Sequence, residues 1–478
     1  MKFLSALEAV NLDNLFGDCQ DLSTTRGGGL AVLEIGKEVA RGLGVEAISS
    51  GSSQGLLVVE GESAADAERQ VREILAELPL LEHATVMVKA CKYDEGAFAQ
   101  QKAELQAAMR WSQMRSPSVV YPKLHGSLVC DIDKVRPAQR WPDLKEKETQ
   151  SDFTHARRQY GREQKNTLVG RILSGQQEFP GQAEFDVVSD LAQLSIDKDK
   201  QFGNLADKLA VLRFDGNDFG NIGRRCVTPD LMRSFSATTQ KQQGKFFDTL
   251  VHTNAAAWWT DHHPPKLKLE IVVYGGDEVT FITPAWLGWK ALRVFYEQAA
   301  QWPPLRMPEG DQQLTYSGGV VFCHRNAPIH AIKKLASDLG EQAKNRAKKK
   351  AGGKGNFAIY QALESFDSIG EDVEGFLGRR YGFTEGRGVF LGLEEIAMIE
   401  DHMDYWRATL SRRKLHTLAQ GLEKGKPMDV GKGIADLVES KSPGSDKALQ
   451  AVKALHSRLG NAALLHILEL WDYAGVQL

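Results

Sequence analysis

Three carboxylates stand where apolar segments end in the middle of the chain. Asp215 follows residues 209–214, which are nearly all apolar, as expected for a strand buried on both faces. Asp277 and Glu278 lie in a turn between two short apolar runs, a pattern that predicts a β-hairpin. Carboxylate oxygens are the hard ligands that Mg²⁺ prefers. These positions therefore predict a divalent-metal site formed by a strand end and a hairpin tip.

Glycines beside these carboxylates would let a phosphate group approach the backbone closely. Gly275 and Gly276 precede Asp277 in the turn, and glycine adopts positive φ angles at low steric cost. Simpler interpretations stay open here: the hairpin could be a plain polar turn, and Asp215 could be a solvated residue at a strand end. The presence of both carboxylate sources favours the metal site over these alternatives.

The segments around the carboxylates predict the elements that would position them. Residues 206–385 have the pattern strand, helix, strand, strand, helix, strand, helix, strand. The last long helix begins near Pro328, and Lys344 and Lys348 lie beside its apolar stripe. These lysines could neutralise phosphate, or they could simply complement the negative end of the helix dipole.

The first 120 residues predict a second α/β unit. A helix is expected after the glycine run 27–29, and strands are expected near residues 56–59 and 84–89. This order suits a ferredoxin-like unit. Residues 10–17 and 214–220 each follow a strand and precede a helix. That similarity indicates a weak internal repeat, although a chance likeness of two strand-turn-helix segments is equally open.

Composition excludes some classes of protein. The 478 residues include 59 lysines and arginines against 62 aspartates and glutamates, so net charge provides no general attraction to nucleic acid. Five scattered cysteines without a CxxC pair make a disulfide framework unlikely and favour a reducing cytoplasm. We expect no membrane span, because no stretch of about 18 apolar residues occurs, and no signal peptide.

The motifs together resemble a known family. The turn at residues 215–220, the hairpin at 275–278 and the segments 317–321 and 324–328 are similar to the palm domain of the CRISPR polymerases. These are the large subunits of type III CRISPR effector complexes and their smaller stand-alone relatives. The palm is also similar to GGDEF diguanylate cyclases and, more distantly, to class III nucleotide cyclases.

The resemblance implies an α+β fold with two ferredoxin-like palm domains, the first degenerate and the second catalytic. The implied divisions are a degenerate palm at residues 1–120, a helical linker with a remnant of a zinc segment at 121–205, the catalytic palm at 206–385 and a helical C-terminal domain at 386–478. The match is best over the third of these divisions.

The resemblance also implies a function. The chain would join nucleoside triphosphates, with ATP the expected substrate, into cyclic oligonucleotide messengers of antiviral defence, releasing pyrophosphate. Two Mg²⁺ or Mn²⁺ ions would assist. Implied partners are a second copy of the chain or CRISPR effector subunits with guide and target RNA, and no membrane. The implied metal ligands and catalytic residues are Asp215, Asp277 and Glu278. The implied nucleotide-binding residues are Gly216, Asn217, Asp218, Phe219, Gly275, Gly276, Ser317, Lys344 and Lys348.

The sequence departs from the family pattern at several positions. Asn217 stands where the family usually has aspartate, and Glu278 replaces the second aspartate of the CRISPR polymerase hairpin. Residues 49–55 lack the carboxylates of an active hairpin. Cys130 is the single cysteine near the zinc-segment remnant, which ends in Pro137-Ala138, and one cysteine is too few for a zinc site. We therefore predict no zinc.

Two other functions stay open from the sequence. An inactive palm could act as a binding scaffold within an RNA-guided complex, in keeping with the changes at Asn217 and Glu278. A diguanylate or mononucleotide cyclase is the other alternative. Residues 344–348 match the corresponding segment of GGDEF proteins poorly, which favours the CRISPR-polymerase branch.

Overall fold

The computed structural model of the chain describes a set of separate residue ranges. They are 1–12, 15, 19, 21–51, 53–81, 84–115, 128–174, 186–197, 201–253, 255–260, 265–351, 355–363, 372–384, 388–426, 429–438 and 445–478. Strands and helices are numbered below in chain order within this described part.

The strands are β1 (Lys2–Val10), β2 (Ala47–Gly51), β3 (Gln54–Glu60), β4 (Thr85–Lys92), β5 (Leu128–Val129), β6 (Pro137–Ala138), β7 (Asp186–Val187), β8 (Lys208–Gly216), β9 (Lys266–Leu267), β10 (Glu270–Gly275), β11 (Glu278–Pro284), β12 (Tyr316–His324) and β13 (Phe357–Ala362). The helices are α1 (Leu22–Leu43), α2 (Ala64–Ala76), α3 (Phe98–Arg115), α4 (Asp152–Glu163), α5 (Lys165–Ser174), α6 (Leu191–Leu194), α7 (Phe219–Arg225), α8 (Pro229–His252), α9 (Ala255–Trp258), α10 (Ala285–Gln301), α11 (Ile329–Ala351), α12 (Val373–Tyr381), α13 (Leu393–Thr409), α14 (Arg412–Glu423), α15 (Val430–Ala435), α16 (Ser445–Leu459) and α17 (Ala462–Glu469).

The first sheet, made of β1 to β4, has the order β2-β3-β1-β4. Successive side chains of a strand point to opposite faces, so β1 contributes to two cores. Phe3 and Leu7 lie in the core beneath α1 and α2, whereas Leu4 and Ala6 pack with Phe98 of α3. Helices therefore cover both faces of this sheet.

The second sheet has the order β10-β11-β8-β12-β13. Apart from the two-residue β9, its first four members repeat the chain order of the first sheet, and β13 adds a parallel edge strand. Leu209 and Val211 of β8 pack towards α11, whereas Leu212 and Phe214 pack towards α8 and α10. The predicted order of strands and helices is confirmed in this region.

Helix α1 begins earlier than the sequence predicts, because the glycine run lies inside the helix. A Cβ atom on Gly27 would lie 1.9 Å from the carbonyl oxygen of Arg157 in α4. A Cβ on Gly161 of α4 would lie 2.0 Å from the carbonyl oxygen of Ser23. The glycines are therefore the points where two helices cross at close range, and the prediction of a helix start after them was wrong.

A buried ion pair joins α1 to the second sheet. Arg26 Nε lies 2.8 Å from Glu270 Oε1, and Arg26 Nη2 lies 2.6 Å from Glu270 Oε2. Both side chains are only 4% exposed. Arg26 Nη1 also donates to the carbonyl oxygen of Gly161 at 2.8 Å. One guanidinium group thus links α1, α4 and β10.

The last part of the chain is helical, as predicted, and it supports the edge of the second sheet. Tyr360 of β13 places its hydroxyl 2.9 Å from His466 Nδ1 and 3.0 Å from Glu469 Oε2 in α17. His466 Nε2 lies 2.7 Å from the carbonyl oxygen of Gly388. Within the described ranges, no helix is both long and apolar enough to cross a membrane.

Candidate functional site

The fold brings the predicted carboxylates together at one end of the second sheet. Asp215 of β8 lies directly opposite Glu278 of β11 and opposite Ser317 of β12. The backbone N–H of Gly216 donates to the carbonyl oxygen of Asp277 at 2.7 Å. The hairpin tip is thereby fixed beside the end of the central strand.

Two cations of the chain contact these carboxylates. Lys344 Nζ in α11 donates to Asp215 Oδ1. Arg213 Nη1 lies 2.9 Å from Glu278 Oε1, and its Nη2 lies 4.0 Å from Asp215 Oδ2. Thr280 Oγ1 donates to the same oxygen of Glu278 at 3.1 Å. Two of the three carboxylates are therefore already paired within the protein.

Sequence reasoning missed Arg213. It precedes Asp215 by two residues in an otherwise apolar strand, and residues two apart share one face of a strand. That spacing was the available signal, because a charged residue on a central strand needs a partner on the same face. The partner is Glu278 on the adjacent strand.

The surroundings raise the pKa values of both hairpin carboxyls. The pKa of Asp277 is raised chiefly because protein atoms displace water around the turn, and the nearby charge of Asp215 raises it further. Loss of water around Glu278 also raises its pKa, and the positive charge of Arg213 partly offsets this. A positive ion near the hairpin would favour the ionised forms.

The carboxylates of the site fit a divalent metal ion that brings some of its own ligands, such as water and substrate phosphates. Among the described residues, no group of three or more histidine, cysteine or acidic side chains is arranged to hold a metal ion. Mg²⁺ commonly takes only one or two protein carboxylates and completes its octahedron with water and substrate phosphates. Asp215 and Asp277 meet that smaller requirement, with Glu278 held aside by Arg213.

Asn217 and Ser317 bind one another instead of pointing outwards. Ser317 Oγ donates to Asn217 Oδ1 at 2.7 Å, and Asn217 Nδ2 donates to the carbonyl oxygen of Gly355 at 2.9 Å. Asn217 is 2% exposed and Ser317 is fully buried. This network ties the turn after β8 to β12 and to the chain before β13. Direct contact of either side chain with nucleotide stays a prediction.

The turn after β8 carries Asp218 and Phe219. Asp218 has a φ of 63°, which is unusual for a residue other than glycine. The ring of Phe219 closes over Gly216, where a Cβ atom would lie 2.5 Å from the ring. The backbone N–H of Asn217 is bonded to the carbonyl oxygen of Thr315 at 2.8 Å. Since the N–H groups of Gly216 and Asn217 are both occupied, neither is available to a triphosphate in this arrangement.

The hairpin tip depends on its two glycines. Gly275 has a φ of 117° and Gly276 a φ of 60°, values that side-chain-bearing residues rarely adopt. A Cβ atom on Gly275 would also lie 2.5 Å from Leu33 of α1. Gln243 Nε2 of α8 donates to the carbonyl oxygen of Gly276 at 3.0 Å. The tip is therefore held by both the first and the second half of the chain.

A cavity of about 590 Å³ lies between the two sheets and reaches the hairpin tip. Its wall on the first-sheet side includes Glu8, Gly51 and Arg110, and its opposite wall includes Phe219 and Asp277. The volume is in the range of sites for small molecules and cofactors. Of the three carboxylates, Asp277 lines this cavity, whereas Asp215 and Glu278 do not.

The remaining predicted residues lie outside this contact network. Lys348 is exposed one turn after Lys344 on α11. The segment that resembles a zinc-segment remnant forms the small β5–β6 sheet. There Asp133 accepts from Arg136 at 2.9 Å, and the hydrogen bonds to Asp133 hold its pKa at about 2, against the opposing effect of burial. An ion pair thus stabilises this segment, and the absence of zinc stays a prediction.

Comparisons with known proteins agree with this geometry. The family model of the Cas10/Cmr2 second palm domain matches residues 208–352. No curated protein matches the chain. Among solved structures, Csm1 of T. onnurineus is 12% identical with a TM-score of 0.53, and the match covers 100% of this chain and 70% of that one.

Two related structures are similar to the same extent. The Csm1–Csm4 cassette in complex with one ATP and the cassette in complex with cA4 each show 11% identity and a TM-score of 0.53, over 100% of this chain and 70% of those chains. Identities this low establish the fold alone, whereas the match to residues 208–352 identifies the domain. Residues 208–352 therefore form a domain of the Cas10/Cmr2 second-palm type, and over its whole length the chain is similar in fold to Csm1.

Proposed function

We propose that this protein is a Mg²⁺-dependent nucleotidyltransferase that joins nucleoside triphosphates, with ATP as the substrate, into cyclic oligonucleotides. The observation that carries the proposal is that the hairpin tip with Asp277 is fixed beside Asp215 at the end of β8, and that Asp277 lines a cavity of suitable volume. The structures of the Csm1–Csm4 cassette with one ATP and with cA4 support the substrate and product class.

Asp215 and Asp277 would hold the divalent ions, whose chemistry is to neutralise phosphate charge and to lower the pKa of an attacking hydroxyl. Glu278, which is held by Arg213, would support the two metal-binding carboxylates from a neighbouring position. Lys344 would neutralise a phosphate as a compact point charge on a flexible stem. The glycines of the hairpin would leave the backbone open to the phosphates.

The cavity would hold the nucleotides between the two sheets. We infer that the first sheet is a degenerate copy of the palm, since the strand orders agree and its hairpin faces the catalytic one. A Cβ atom on Gly51 would lie 3.8 Å from the backbone nitrogen of Gly276. Gln240 of α8 donates to the carbonyl oxygen of Ser50 at 2.7 Å. Two triphosphates could thus be held face to face, as transfer between them requires.

The proposed setting is a CRISPR effector assembly. The similar structures include Csm1 in a cassette with Csm4, which supports effector subunits as partners and target RNA as a trigger. The exposed surface of the C-terminal helices would be available for such contacts.

A binding scaffold is the second candidate, and one observation favours it. Lys344 and Arg213 already pair with Asp215 and Glu278, and Asn217 stands where the family usually has a carboxylate. A palm whose carboxylates stay paired could bind nucleotide or a partner without transferring a phosphoryl group.

Incubation with each nucleoside triphosphate separates these two functions. The full chain is mixed with Mg²⁺ or Mn²⁺, with and without RNA, and products are read by mass spectrometry. We expect cyclic oligoadenylates that disappear in the Asp277→Asn variant. Binding of ATP without any consumption, under every condition, would favour the scaffold.

A further inference from the structure

The carboxylate cluster carries its own counter-charges. Asp215, Asp277 and Glu278 face Arg213 and Lys344, so three acidic groups meet two cations. The Arg213 contact joins neighbouring strands of a rigid sheet, at 2.9 Å. The Lys344 contact instead depends on a flexible side chain that reaches across from α11. Lys344 can therefore leave its carboxylate partner more easily than Arg213 can.

Arg213 fixes the role of Glu278. Its guanidinium and Thr280 both bind the Oε1 atom of Glu278. A second cation on this oxygen would meet the positive charge of Arg213 at close range. This leaves Asp215 and Asp277 as the carboxylates that can change partner, in keeping with the absence of a three-ligand cluster among the described residues.

Lys344 competes directly with a metal ion for Asp215. Its ammonium group occupies Oδ1 of that carboxylate, so a metal ion can use this oxygen only after the lysine moves. A triphosphate next to the cluster would offer Lys344 a more strongly charged partner. It would also supply the oxygen ligands that the protein lacks for a divalent ion.

We propose that Lys344 makes metal and triphosphate binding interdependent: it blocks Asp215 in the empty site and moves to the phosphates when nucleotide binds. This inference rests on the proposed function of the same site. Because coupling between two ligands is reciprocal, the metal ion must strengthen nucleotide binding by the same factor. The empty protein would thus bind divalent ions weakly at physiological concentrations.

Mn²⁺ binding to the full chain tests the proposal without turnover. Free Mn²⁺ is measured by electron paramagnetic resonance, alone and with α,β-methylene-ATP, whose own Mn²⁺ binding is measured separately and subtracted. For the wild type we expect the analogue to tighten Mn²⁺ binding by roughly 5- to 150-fold, the usual range of coupling. Lys344→Met should bind Mn²⁺ alone about tenfold more tightly and lose most of that coupling.

Two further variants control the measurement. Lys349→Met removes the same charge from an exposed position on the same helix and should behave as the wild type. Arg213→Met should bind Mn²⁺ alone more tightly, because Glu278 is released, while keeping the coupling. Thermal unfolding followed by circular dichroism establishes that each variant is folded.

The outcomes distinguish this inference from the proposed function. Equal Mn²⁺ affinity and equal coupling in Lys344→Met and Lys349→Met would overturn the role of Lys344 while leaving the metal site intact. Failure of the wild type and of every folded variant to bind Mn²⁺, with or without the analogue, would overturn the metal site and the proposed function together.

Discussion

The first and second sheets place a carboxylate and a cation at matching positions. In the first sheet, Glu8 of β1 lies opposite Gln54 of β3. Arg110 of α3, the helix after the fourth strand, lies 3.0 Å from Glu8. Gln54 Nε2 also donates to Glu8 at 3.3 Å. The carboxylate at this end of the sheet is therefore paired with its neighbours.

In the second sheet, the matching positions hold Asp215 and Glu278. Lys344, again from the helix after the fourth strand of the sheet, contacts Asp215. Asn11 and Asp218 extend the likeness, because each lies three residues after the strand carboxylate and has a positive φ, 58° and 63°. The two halves thus share a backbone plan as well as a strand order.

The difference lies in the hairpins. Strand register places Gly51 and Gln54 at the positions of Gly275 and Glu278, so Ser53 corresponds to Asp277. Only the second hairpin adds carboxylates to the one on the central strand. A shared fold thus supplies the position, and a few side chains at the tip decide whether metal chemistry is possible.

The largest expected effect comes from the hairpin carboxylate. Asp277→Asn should lower product formation by about a hundred- to a thousandfold, the scale for removing one electrostatic group from an active site. Pyrophosphate release measures this. Ser53→Asn, at the matching position of the first hairpin, is the control and should change the rate by less than about tenfold. Similar losses in both variants would remove the distinction between the hairpins.

The connection between the halves should be the next most sensitive feature. Arg26→Met leaves Glu270 buried without its partner, and we expect a loss of about 3–5 kcal/mol in the free energy of unfolding. Arg41→Ala, which breaks an exposed pair with Glu38, should cost at most about 1 kcal/mol. Urea unfolding measures both.

A double variant tests whether Arg26 and Glu270 stabilise the protein as a pair. Arg26→Met combined with Glu270→Leu removes both charges, and it should recover part of the lost stability because no buried charge remains unpaired. A double variant that is as unstable as the sum of its two single variants would show that the pair does not act as a unit.

The stability that the contacts between β13 and α17 provide should depend on pH. Burial lowers the pKa of His466 to about 4 from 6.5, so the unfolded chain binds a proton between these values while the folded chain does not. Stability should therefore fall as pH drops from 6.5 towards 4, by up to about 3 kcal/mol. Burial raises the pKa of the neighbouring Glu469, which acts in the opposite sense.

Comparison with His466→Gln isolates the histidine. Urea unfolding at a series of pH values should show a shallower fall in stability for this variant than for the wild type. Parallel pH profiles for the two proteins would contradict a neutral, buried His466.

The smallest effect is expected at Gly275 in the hairpin tip of the second sheet. Gly275→Ala would place a methyl group 2.5 Å from Leu33 at a φ of 117°, and it should cost about 1–3 kcal/mol of stability. Gly425→Ala, at a φ of 65° with no neighbouring atom within 4 Å, measures the backbone strain alone. An equal loss in both variants would show that contact with α1 is unimportant.

The sequence predicted the second sheet better than the first, for physical reasons. Apolar strands and a glycine-rich hairpin are local signals, so Asp215 and the hairpin carboxylates were identified correctly as neighbours. The pairing of Arg213 with Glu278 depends on register across two strands, which no local pattern specifies. The buried network of Asn217 and Ser317 was missed for the same reason.

The first sheet contains features that short sequence patterns did not predict. Glycines lower helix propensity, so the sequence predicts a helix start after the glycine run, although the close packing of Gly27 against α4 places the run inside α1. The apparent repeat at residues 10–17 includes Asp13, which lies outside the described residues. Strand register identifies Glu8 as the counterpart of Asp215, a match that requires the pairing of β1 with β3.

The most direct test of the account compares the two matching carboxylates. Asp215→Asn and Glu8→Gln are assayed side by side for pyrophosphate release from ATP, with Mg²⁺ and Mn²⁺ and with and without RNA. We predict a loss of at least about a hundredfold for Asp215→Asn and of less than about tenfold for Glu8→Gln. Full activity in Asp215→Asn, or its loss only in Glu8→Gln, would contradict the assignment of catalysis to the second sheet.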